Sequence, residues 1–140
     1  MMRRHAFLLF GLLLLSAARL PGQNSQPDFG TFFAKFKAAV AQKDSATLTT
    51  FMAPGFDFIR GQNVSPADVF KGLDANDGLQ WTNLQQAVQR QPASFQARGS
   101  NAPGRVLLCT PTDTIYSCLV IFQQDSHHRW RWKSMIMPTR

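Results

Sequence analysis

Three groups of side chains carry the chemistry this sequence can attempt. They are Asp125 with His127 and His128, the pair Cys109 and Cys118, and the alternating row Arg129-Trp130-Arg131-Trp132-Lys133. Two imidazoles beside a carboxylate suit a metal ion. Adjacent strand residues point to opposite faces, however, so His127 and His128 do not easily grip one ion. Zinc asks for three or four protein ligands, and the only other His is His5. The expectation is a polar hairpin turn over Gln123 to His128, with no metal and no cofactor.

The cysteines read as a staple. No C-x-x-C spacing occurs, and no His is near in sequence to activate a thiolate. The β-rich runs Val106–Cys109 and Ile115–Phe122 flank Pro111 to Thr114. A hairpin turning about Asp113-Thr114 sets residue 109 opposite residue 118, so a disulfide is expected. The basic-aromatic row is of the kind that binds single-stranded nucleic acid, bases stacking while phosphates pair. On a strand, period two sends the tryptophans to one face and the cations to the other. An amphipathic strand is expected, not a nucleic-acid site. Its basic row can touch an anionic glycan, lipid headgroups or a partner.

Other motifs are poor. Asp74-Ala75-Asn76-Asp77-Gly78 resembles a calcium loop, but Gly comes one place early and Gln85 replaces the bidentate Glu. It reads as a helix end and turn. No G-x-S-x-G elbow and no glycine-rich phosphate loop is present. Asn63-Val64-Ser65 is a glycosylation sequon followed at once by Pro66 and is discounted. All 8 acids are Asp, which leaves few groups for acid-base or metal chemistry.

The elements that must position these residues begin after an address. Arg3 and Arg4 precede the apolar run Ala6 to Leu15, and Ser16-Ala17-Ala18 offers small residues for cleavage. This is a secretory signal over residues 1–18, bacterial in style, with cleavage as late as 22 as the alternative. The run is too short for a membrane span, which needs about 20 apolar residues. Export to the periplasm or beyond is expected. Without Arg3, Arg4 and Arg19, twelve cations face eight Asp, a net +4, or +5 if Arg19 stays. That balance bears on solubility and weak attraction to anionic surfaces, not on fold.

A flexible leader is expected over 19–27 and one domain over 28–138, since 140 residues suit a single domain. Asp28 suits an N-cap. Phe29, Phe32, Phe33, Phe36 and Val40 then form one apolar stripe of a helix. A short second helix runs from Asp44-Ser45 through Leu48 to Met52, stopped by Pro54-Gly55. Phe56 to Arg60 alternates as a strand. Ser65-Pro66-Ala67-Asp68 opens a helix that ends at Asn76-Asp77-Gly78, and Trp81, Leu84 and Val88 give further helical turns. From Ala93 the period becomes two. Strands are expected over 93–98, 105–110, 114–123 and 129–137. Helices first and an antiparallel meander after imply an α+β fold, the helices packed on one face of a curved antiparallel sheet.

The order resembles the NTF2-like superfamily, the SnoaL/ketosteroid-isomerase-like or cystatin-like cone. The resemblance rests on Phe32 to Asp44 with its Lys43-Asp44 break, on Leu48, Phe51-Met52 and Phe56-Asp57-Phe58, and on the closing Trp130-Arg131-Trp132-Lys133. It implies a cone in which Phe33, Phe36, Phe58, Trp130 and Trp132 line a pocket for a small apolar ligand. It also implies an isomerase-type alternative, an Asp base with a Tyr donor in an apolar cavity. Asp57 and Tyr116 are the candidates, although Asp57 between two phenylalanines is expected to face solvent. A homodimer through the sheet is implied as well. The leading expectation is a binding or scaffold domain, with an enzyme or an envelope interaction module as alternatives.

Overall fold

The computed structural model describes residues 28–59, 62–96, 98–109 and 118–136. The expected signal and leader, the turn at Asp113-Thr114, and Tyr116 lie outside the described residues. Helix α1 spans Phe29–Ala41. Asp28 caps it, its Oδ1 accepting from the Thr31 N–H at 2.8 Å. The far end closes in a Schellman motif. Lys43 adopts a left-handed φ of 51° while the Lys43 N–H reaches Val40 O and the Asp44 N–H reaches Ala39 O. Asp44 then caps α2, Ser45–Phe51, accepting from both the N–H and the hydroxyl of Thr47.

Strand β1, Met52–Ile59, and the two-residue β2, Gln62–Asn63, form a hairpin. The expected strand over Phe56 to Arg60 therefore starts earlier, and Pro54 and Gly55 lie in it. Helix α3 spans Pro66–Ala87. Ser65 Oγ accepts from the Asp68 N–H and donates to the Asp68 carboxylate. Pro66 at the first position loses no bond, because its N–H would be an orphan anyway. The helix bends at Ala75 to Gly78, where Asn76, Asp77 and Gly78 take left-handed φ of 53°, 56° and 72°. The Asn-Asp-Gly signal thus ends one helical half and starts another.

Strands β3, Ala93–Gln96, β4, Pro103–Leu108, β5, Leu119–Gln124, and β6, Trp130–Ile136, follow. The six-stranded sheet runs β2-β1-β6-β5-β4-β3. One expectation fails here. The sheet is mixed, because β1 runs parallel to β6, with Phe58 beside Met135 and Asp57 beside Ser134. A parallel neighbour needs a crossover. The crossover here is everything between β1 and β6, helix α3 included, and short-range periodicity does not reveal it.

Register assigns each residue to a face, since directly paired residues share one. Leu107, Val120, Met135 and Phe58 lie on the inner face, as do Phe122, Trp132 and Met52. The helices cover that face. Phe32, Phe36, Val40, Leu48, Val69, Leu73, Trp81 and Leu84 join these strand residues in one buried cluster. Shifts in register at Ile121/Phe122 and at Met52/Asp57 bend the sheet locally. The outer face carries the ladder Leu108-Leu119-Ile136 and, beside it, Ala93-Val106-Ile121-Ser134-Asp57. Phe95 lies over Gly104 on that face, where a Cβ on Gly104 would strike the ring.

Candidate functional site

Alternation sorts the last strand as expected. Trp130 and Trp132 are buried, while Arg131 and Lys133 are half-exposed. Four of the five residues expected to line a cone converge. Phe36 meets the Trp132 ring at 5.2 Å and the Phe122 ring at 4.9 Å, both edge-on. Phe33 reaches Phe122 at 5.9 Å, and Trp130 meets Phe29 at 4.8 Å. Edge-to-face pairs of this kind are preferred by the ring quadrupoles. Phe58 stands apart under α3, against Gly72.

Phe122 is the hub that the sequence reading left out. Its ring touches Phe29, Phe32, Phe33 and Phe36. The available signal was its place two residues after Val120 in an alternating run. Trp132 is fully buried, and its indole Nε1 has no hydrogen-bond partner among the described residues. A buried donor without a partner calls for an explanation. Phe56 and Phe36 face it with rings at 4.7 and 5.2 Å.

Asp57 does not share this interior. Phe56 and Phe58 turn inward, and Asp57 stands half-exposed on the outer face beside Ser134 and Asn63. The expectation that it faces away from the core holds. Two cavities are lined by described residues. One of about 260 Å³ lies between α1 and α2, against Lys35, Ala39, Asp44 and Phe51. The other, about 190 Å³, lies against Ala41, Gln85, Val88 and Gln89. None of the five aromatic candidates lines either.

Asp125 organises the β5–β6 turn. Its Oδ1 accepts from the N–H groups of His127 and Arg129, and its Oδ2 accepts from Arg129 Nε at 3.0 Å and Arg131 Nε at 3.2 Å. Partial burial pushes the carboxyl up. The Arg129 N–H, the Arg131 guanidinium, the His127 N–H and the Arg129 guanidinium together hold it well below the usual carboxylate range. Arg131 also donates from Nη1 to Thr50 O at 2.7 Å, tying β6 to the end of α2. Among the described residues no group of three or more His, Cys, Asp or Glu is placed to hold a metal ion.

Cys109 and Cys118 form a disulfide with Cα atoms 4.9 Å apart. The Cys109 N–H donates to Cys118 O, extending the β4–β5 register by one pair, so residue 109 stands opposite 118 as expected. Both are buried, a structural setting rather than a reactive one. No described helix is long and apolar enough to cross a membrane. No protein-family model matches the chain, and no curated protein matches it.

Proposed function

We propose that this chain is an exported, NTF2-like scaffold that pairs with a second copy through the outer face of its sheet. The observation that carries the reading is the division between the two faces. Inside, Phe36, Phe122 and Trp132 are in direct ring contact, which favours packing over an open chamber. Outside, Leu108, Leu119, Ile136, Val106 and Ile121 make a connected apolar surface, with Leu108 37% exposed. The other four are half-buried, and a contiguous, partly exposed apolar area is a usual mark of an interaction site. The order of helices, early hairpin, long helix and four-strand meander supports the NTF2-like resemblance. The disulfide fits an oxidising compartment.

Sedimentation equilibrium tests the pairing. A dimer is expected for the native chain and a monomer for Ile121→Asp, with far-ultraviolet circular dichroism unchanged. A monomeric native chain at high concentration rejects the reading.

One observation favours a second reading, the binding of a small apolar ligand with a single hydrogen-bond acceptor. Trp132 Nε1 is a sealed donor in an aromatic interior, the group such an acceptor would meet. Native mass spectrometry of protein taken from its source separates the two. A stoichiometric small-molecule adduct, absent after unfolding and refolding, supports the ligand. A bare dimer supports the scaffold.

A further inference from the structure

We propose that the end of the sheet holding the β3–β4 and β5–β6 turns is a docking surface for anionic phospholipid. Antiparallel pairing fixes which loops share this end. Gln96 stands beside Pro103, Gly104 beside Gln123, and Gln124 beside Trp130, so both turns project the same way. They also touch, Gln123 Nε2 lying 3.4 Å from Ser100 Oγ. These turns present Arg98, His127, His128 and Arg129, all exposed. Arg105 and Arg131 stand on the adjoining strand ends. Helix α1 begins here too, since Phe29 packs on Trp130.

The facing carboxylates are engaged. Asp28 is held by the Thr31 N–H, and Asp125 by the two arginines and the turn amides. Arg131 is committed to Asp125 and Thr50. Arg98 is exposed, and Arg129 and Arg131 share the single carboxylate of Asp125, which leaves net positive charge at this end. Positive charge gathered at one end attracts an anionic surface and orients the molecule on it.

One observation favours a lipid surface over an acidic glycan. Half-buried aromatics rim this end. Phe29 and Phe33 stack at 5.4 Å with Arg105 5.3 Å from the Phe29 ring, and Phe95 lies on the neighbouring strand. Aromatic rings beside cations are the composition of a membrane–water interface.

The test is co-sedimentation of the protein as exported with vesicles of phosphatidylcholine, with or without phosphatidylglycerol. Partition is expected to need phosphatidylglycerol and to weaken with salt. Each arginine near an anionic surface is worth about a five-fold change in partition. Arg98→Gln with Arg129→Gln is therefore expected to lose roughly 25-fold. Lys43→Gln, just past the C-terminal end of α1, with Arg90→Gln, whose guanidinium donates to Leu108 O at the far end of β4, is expected to keep most of the binding. Equal partition to both vesicles, or an equal loss in the control pair, overturns the proposal. Displacement by inorganic phosphate at matched ionic strength overturns it too, in favour of a single-phosphate site.

Discussion

Trp81 Nε1 donates to Asp74 Oδ1 at 2.7 Å, across the left-handed turn that bends α3. Trp81 is almost fully buried and stacks on Phe70 from the other helical half. The pair thus clasps two helical halves that the backbone alone would not hold at this angle. The left-handed region disfavours most residues other than Gly, and Asn and Asp, here Asn76 and Asp77, are the types that enter it most readily. Asp74→Ala leaves the buried indole N–H unpaired, which costs about 1–3 kcal/mol. Asp74→Asn keeps an acceptor and is expected to cost much less. Urea unfolding followed by tryptophan fluorescence checks the order. Equal losses in both variants would show that the acceptor is not what holds Trp81.

Gly72 makes a second packing prediction. A Cβ there would collide with the Phe58 ring, which is itself buried against Met135. Gly72→Ala gains about 1 kcal/mol of helix propensity. Overpacking a filled core costs about 1–3 kcal/mol, so a net loss is expected. Phe58→Leu introduced together with Gly72→Ala is expected to recover part of it. Chemical denaturation of the single and double variants measures the coupling. Simple additivity would mean that the helix does not rest on Phe58.

These two contacts mark what was legible in the chain. The Phe29–Val40 stripe announced α1 because four aromatic side chains at helical spacing need one apolar partner, and the bend followed from Asn76-Asp77-Gly78. Asp57 facing away from Phe56 and Phe58 followed from alternation alone. The parallel pairing of β1 with β6 was not legible. It joins residues far apart in sequence, and neither strand's period specifies its neighbour's direction. Arg131 was read as a strand cation, yet its bond to Thr50 O spans 81 residues. The turn end of the sheet was hidden for the same reason, because only the register of β3 to β6 brings the turns of Arg98 and Arg129 to one end.

The disulfide closes a loop with a sequence separation of 9. Loop entropy for so short a ring is worth about 2–3 kcal/mol, and the cysteines sit at the end of the β4–β5 ladder where fraying would start. Cys109→Ser with Cys118→Ser is expected to lower the melting temperature by about 4–8 °C for each kcal/mol lost. Thiol labelling of the unreduced, unfolded protein is expected to find no reactive thiol. Differential scanning calorimetry with and without reductant checks the first claim. A melting temperature indifferent to reductant would leave the staple without a stabilising role.

Asp125 sets the acid limit of the β5–β6 turn. Its folded carboxyl titrates below the unfolded value of about 3.9, so the turn's contribution is fully present above that pH. It is lost progressively as the pH falls from about 4 toward the lower folded value, where the unfolded chain binds the proton first. Asp125→Asn removes the titration and one partner each of Arg129 and Arg131. The native protein is therefore expected to exceed the variant in urea midpoint near neutral pH, with the gap narrowing below pH about 4. Surface ion pairs are weak singly, at about 0–1 kcal/mol, so most of the gap comes from the amide bonds to the carboxylate and not from the guanidinium charges. Raising the salt concentration should then shrink the gap only slightly at pH 7. A gap that vanishes in salt, or that is the same at pH 2 as at pH 7, would mean that the turn amides do not hold the ionised carboxylate.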